Sequence, residues 1–222
     1  MKLYCILKKS SLRREACDLS VNGAVVAHLV SGQRAEAQLP SHARYYISIG
    51  DKVYDALTVL TFEGDEATLT VTKGKRGYAL DVTGARLEVL SLSRLLGALY
   101  DEGQISNLLP WERNAFFALL YAKCNREDTV LESPYLNEIR EALLAVGDGE
   151  IAERLTRAMD ACELSLPLSR MKKLTPEEET ALVESYHVLW SEAERAPRGE
   201  ELRSLLKVYD YIYEQHRACS QT

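Results

Sequence analysis

Apolar positions in the first 90 residues fall in short β-branched and aromatic runs, and turn residues interrupt those runs about every eight to twelve positions. Alternation is clearest in Ala67-Thr68-Leu69-Thr70-Val71-Thr72, with alanine, leucine and valine on one face and threonines on the other. A half-buried strand requires this arrangement. Runs of the same kind predict strands at Lys2–Lys8, Asp18–Val21, Val25–Val30, Ala35–Leu39, Arg44–Ile49, Leu57–Phe62, Ala67–Thr72 and Tyr78–Val82. Asn22-Gly23 lies between two of them and predicts a tight hairpin, because both central residues of a type I′ turn need positive φ. An antiparallel sandwich or barrel is therefore expected.

The period changes at Thr83-Gly84-Ala85-Arg86, from two to about 3.6 residues, and a domain boundary is expected near residue 88. The expected division is a β domain over 1–88 and an acidic α-helical domain over 89–222, an α+β chain. Leu92, Leu95, Leu96 and Leu99 mark a first helical stripe after Ser91 or Ser93 as N-cap, ending near Gly103. Pro110 suits a first helical position ahead of Trp111–Cys124. Leu136, Ile139, Leu143 and Val146 line a helix opened by Ser133-Pro134 and stopped by Gly147, and Glu150–Cys162 continues the series. Thr175-Pro176-Glu177-Glu178 reads as a capping box that opens a helix to about Glu194. A last helix, Glu200–Arg217, is expected to turn Leu202, Leu205, Leu206, Tyr209 and Ile212 inward.

Charge sharpens this division. Residues 1–90 hold 12 basic and 10 acidic side chains, whereas 91–222 hold 15 and 23. The acidity thus belongs to the helical part and argues against phosphate-backbone binding, which needs clustered cations. The one basic turn, Lys73-Gly74-Lys75-Arg76-Gly77, reads as a solvated hairpin loop. The apolar run Ala115–Ala122 is much shorter than the roughly 20 residues of a membrane helix, and Lys8 and Lys9 fall where a signal peptide would be apolar. Five cysteines at 5, 17, 124, 162 and 219 follow neither a disulfide nor a zinc spacing. A cytoplasmic protein with reduced thiols is expected.

Motifs of nucleotide and hydrolase chemistry are absent: there is no G-x-x-x-x-G-K-[ST], G-x-G-x-x-G or G-x-S-x-G. His28, His42, His187 and His216 belong to no ligand set, and His216 with Cys219 would supply only two ligands. Glu177, Glu178 and Glu179 sit where a helix macrodipole favours carboxylates. No catalytic residue, metal or cofactor is assigned. Tyr186 with Trp190 and Tyr209 with Tyr213 are four apart, and each pair reads as packing on one helical face. Tyr211 falls off that stripe; together with Trp111, beside Glu112 and Arg113, it is a candidate contact for a partner.

Two resemblances add to this. The order strand, Asn22-Gly23, strand, Ser31-Gly32, strand, Leu39-Pro40, aromatic strand resembles small immunoglobulin-like β domains that serve as attachment modules, with Ser41-His42-Ala43 where such domains place a glycine. In the helical part, Tyr100-Asp101-Glu102-Gly103-Gln104-Ile105-Ser106-Asn107, then Phe116-Phe117, then Ile139–Gly147 and Ile151–Leu155 resemble a helical domain of bacterial DNA-mimic proteins and their uncharacterised relatives, over residues 91–217. The family's Asn-Gly-Gly is replaced here by Ser106-Asn107-Leu108-Leu109. The resemblance implies a non-enzymatic protein whose acidic surface binds a basic partner protein, as a regulator or in neutralising a toxin. The candidate partner-binding residues are then Glu102, Asn107, Trp111, Glu112 and Tyr211. An enzyme with a site assembled from scattered Asp, Glu, His and Tyr residues, or an assembly component, are the alternatives.

Overall fold

A computed structural model describes residues 1–8, 15–50, 56–74, 77–127, 129–161, 175–177, 180, 184 and 198–220. The chain divides into two units, Met1–Ser93 and Arg94–Thr222. The first holds β1 (Lys2–Leu7), β2 (Ala16–Val21), β3 (Ala24–Val30), β4 (Arg34–Gln38), β5 (Tyr45–Ile49), β6 (Ala56–Phe62), β7 (Glu66–Gly74), β8 (Gly77–Thr83) and β9 (Ala85–Ser91). They form two sheets, ordered β4-β1-β7-β8 and β3-β2-β5-β6-β9.

Strand alternation explains why the sheets share one core. Leu3, Cys5 and Leu7 of β1 stand beside Ala67, Leu69 and Val71 of β7 in register, and all six are buried. From the other sheet, Leu19, Val21, Tyr45, Ile47, Ile49 and Leu60 close on the same cluster. The threonines between the buried residues of β7 face away, Thr68 and Thr70 half-buried and Thr72 exposed. Cys5 is wholly buried, and burial pushes its thiol up to about 12.

Two turns follow from residue chemistry. Asn22 and Gly23 have φ of 53° and 78°, the I′ geometry expected of Asn-Gly, and the Asn22 side chain also accepts from the Tyr46 N–H at 2.9 Å. The Tyr45 hydroxyl donates to the Pro40 carbonyl at 2.6 Å and pins the entry to β5.

The sheets depart from the sequence reading in two ways. The pairing is not antiparallel throughout, because β1 runs parallel to β7 while antiparallel to β4. Pairing between strands so distant in sequence leaves no local pattern to read. The boundary expected near residue 88 falls inside β9, which pairs with β6 from Ala85↔Phe62 to Ser91↔Ala56. Alternation in Ala85-Arg86-Leu87-Glu88-Val89 continues the β period past Gly84, so this glycine is a turn inside the β unit.

Gly84 has φ +79°, and a Cβ there would lie 2.6 Å from the Glu66 carbonyl oxygen. Gly32 shares that φ but has open space around it. Gly84→Ala is expected to cost about 2–3 kcal/mol and Gly32→Ala about 1 kcal/mol, because only the first adds a backbone collision to the strained dihedral. Urea midpoints of the two variants would show the difference.

The second unit contains α1 (Ser93–Tyr100, which begins on the last residue of the β unit), α2 (Pro110–Arg126), α3 (Leu136–Ala145), α4 (Gly149–Ala161) and α5 (Arg198–Ser220), with 3₁₀ turns at Glu102–Asn107 and Val130–Glu132. Ala115, Phe116, Phe117, Ala118, Tyr121 and Ala122 are buried on nearly every side of α2, against which α3 and α5 pack. The turn from α3 to α4 is a Schellman motif: Gly147 has φ +79°, its N–H donates to the Leu144 carbonyl, and the Asp148 N–H donates to that of Leu143.

On α5 the fully buried positions are Ser204, Val208, Ile212 and Tyr213, whereas Leu202, Leu205, Leu206 and Tyr209 are only half-buried. Ile212 is inward as expected, but the rest of the inward face is displaced from the expected leucine stripe toward Ser204, Val208 and Tyr213. Pro176, Glu177, Thr180 and Glu184 are helical, while Cys162, Glu178, Glu179, Tyr186, His187 and Trp190 lie outside the described residues. Among the described residues no helix is long and apolar enough to cross a membrane.

Candidate functional site

The connection from α1 to α2 is built by one carboxylate at each end. At its start, Asp101 Oδ1 accepts from the Gly103 N–H and Oδ2 from the Gln104 side-chain amide, both at 3.1 Å, which caps the 3₁₀ turn. At its end, the Glu112 carboxylate accepts from the Leu109 N–H at 2.8 Å, the returning half of a capping box. Leu109 has no side-chain acceptor to complete the box. Arg94, at the start of α1, reaches the later part of the connection, pairing with Glu112 at 3.3 Å and donating to the Asn107 carbonyl.

The outer side of this connection is aromatic and acidic. Tyr100, the last residue of α1, is 88% exposed, directly before exposed Asp101 and Glu102. The Tyr135 hydroxyl donates to the Glu102 carboxylate at 3.1 Å, and its ring lies 5.4 Å from that of Phe117. A residue anchored in the α2 core thus holds a surface carboxylate in place. Partial burial pushes the Tyr135 hydroxyl up, and the neighbouring Glu102 and Glu138 charges add to this. Glu138 and Glu141 are exposed on α3, with Leu144, 56% exposed, one turn further along.

The residues singled out from sequence take different places. Glu102 and Asn107 are exposed, but Glu112 is turned inward, 6% exposed. It is engaged at the start of α2, accepting from the Leu109 N–H and pairing with Arg94, and offers little surface to another molecule. Trp111 is half-buried, and its indole N–H has no hydrogen-bond partner among the described residues. Tyr211 is half-buried on α5 and accepts from the Asn114 side-chain amide at 3.2 Å. Arg94 brings Asn107 and Glu112 together; Tyr211 joins α2 one turn beyond Trp111.

No family model, curated protein or solved structure matches this chain. The surface must be read from its own chemistry.

A second polar group lies deeper in the helical unit. Asp148, 2% exposed, pairs with Lys207 of α5 at 2.7 Å, and Arg154 of α4 pairs with Glu200 at 2.9 Å. Asp148 Oδ2 accepts no hydrogen bond among the described residues. Tyr121 is buried nearby; desolvation pushes its hydroxyl well up, and the Asp148 charge pushes it further. Residue spacing does not reveal this group, because its members come from three helices. Among the described residues no three His, Cys, Asp or Glu side chains are grouped to hold a metal ion.

Proposed function

We propose that this chain is a non-catalytic, cytoplasmic binding protein whose acidic helical unit engages a basic protein partner through the surface made by Tyr100, Asp101, Glu102, Tyr135 and Glu138. The observation that carries this reading is Tyr100, 88% exposed beside a carboxylate that Tyr135 holds in place. An exposed aromatic ring next to oriented carboxylates fits a guanidinium or ammonium group, which gains from the ring face and the negative charge together. Holding the Glu102 side chain before binding lowers the ordering cost of the complex. The free cysteines fit a reducing compartment, and the likeness of the helical part to DNA-mimic proteins points toward the same kind of partner.

An arginine-rich peptide titrated onto the full chain by calorimetry tests this. Binding should weaken as salt rises, and Tyr100→Ala combined with Glu102→Gln should weaken it about tenfold, while Glu150→Gln, on a remote helix, leaves it unchanged. Equal affinity of all three proteins, or salt-independent binding, would reject the surface. Affinity purification from the native cell with no stoichiometric protein partner would reject the function.

A further inference from the structure

The β unit holds a cavity between its sheets that the proposed partner surface does not use. It has a volume of about 240 Å³ and lies between β8, at the edge of one sheet, and β5, β6 and β9 of the other. Strand register explains its shape. Tyr45, Leu60 and Leu87 form one row across β5, β6 and β9, and the first two are completely buried. In the next row, Ile47 is 6% exposed, Thr58 half-buried and Val89 63% exposed. Packing between the sheets therefore loosens toward the β9 edge, and the cavity opens there.

Its walls include Ile47, Ile49, Leu80, Leu87 and Val89, with Thr58 and Tyr78 as the polar side chains; Ser48 borders it through its backbone, because alternation turns its side chain away from Ile47 and Ile49. The Tyr78 hydroxyl is engaged with the Cys17 thiol. Among the described residues none that lines it is charged. Protein interiors contain few voids larger than a water molecule, and apolar voids bind water poorly. A dry apolar cavity of about 150 Å³ is large enough to take benzene, so this one has room for two fused rings.

We propose that the cavity is a binding site for a small, uncharged, largely apolar molecule of the size of a bicyclic aromatic, with one polar group met by the Thr58 hydroxyl. A charged ligand would lose its hydration with no countercharge among the described wall residues. The ligand enters past Val89, and its ring plane lies between Leu80 on one sheet and Ile47 with Leu87 on the other.

The test is a titration of the full chain with 2-naphthol, followed by amide chemical shifts. Saturable shifts concentrated in β5, β6, β8 and β9 are expected. Val89→Trp, which fills the mouth, should weaken binding at least tenfold; Thr58→Val, nearly the same in shape, should weaken 2-naphthol severalfold but leave naphthalene unchanged. Octanoate, the charged comparison, should bind at least tenfold more weakly than 2-naphthol. Shifts scattered over the chain, no shifts up to the solubility limit, or octanoate binding as well as 2-naphthol would overturn the proposal. So would unchanged affinity in a Val89→Trp protein whose circular dichroism is native.

Discussion

Replacing Lys207 with methionine is expected to cost the helical unit roughly 3 kcal/mol, because it leaves the Asp148 carboxylate buried without its cation. Lys207 itself is half-exposed, with 43% side-chain exposure against 3% for Asp148, so the two partners are not equivalent. Asp148→Asn, by contrast, frees a lysine that water can reach and keeps a polar group at the turn, and should cost only about 1 kcal/mol. The double variant should recover much of the loss in Lys207→Met, since the penalty comes from the stranded charge and not from a missing contact. Both tryptophans, Trp111 and Trp190, lie beyond Ser93, so their fluorescence during urea unfolding follows the helical unit. A double variant no more stable than Lys207→Met would show that the pair acts through packing alone.

Leu69→Ala should produce a loss of similar size in the other unit. Leu69 is completely buried in β7, between Cys5 of β1 and Val82 of β8. Truncation there removes packing from the middle of the four-stranded sheet and opens a hole that hydrogen-bonded strands on both sides cannot collapse to fill. About 3–4 kcal/mol is expected, toward the upper part of the range for leucine truncation. Hydrogen exchange of the β1 and β7 amides would report it as lost protection. Thr68→Ala, one position along and half-buried on the opposite face, should cost less than about 1 kcal/mol.

The contrast between Leu69 and Thr68 also shows what sequence made legible. Where one face of a strand is wet, as in β7, alternation reports it; the other expected strands were readable as β-branched and aromatic runs between turn residues, and Asn22-Gly23 from its turn chemistry. The ninth, β9, was hidden by Gly84, a glycine that looks like a domain boundary until its carbonyl is seen accepting from the Glu63 N–H. Helix starts at Pro110 and stops at Gly147 were readable because proline and glycine act locally. Glu112 was not, since an acidic residue in a first turn looks the same whether it faces solvent or folds back onto Leu109. Tyr135 could not be assigned at all: its role depends on Phe117 and Glu102, which only the packing of α2 brings near it. The Asp148–Lys207 pair was equally beyond reach, its members lying 59 positions apart in the sequence.

The parallel pairing of β1 with β7 bears on the order in which this chain can assemble. On the ribosome β1 emerges before β4 and β7 and can meet β4 once Gln38 is free, but its other edge stays open until Glu66 and the residues after it have been made. The first strand of this sheet thus keeps one edge unpaired until β7 has been made. Such long-range closure slows folding and leaves an apolar edge available to other chains in the interval. Refolding of the β unit should therefore lag behind that of the largely local helical unit, and the yield of soluble protein should depend on how fast synthesis carries the chain past β7.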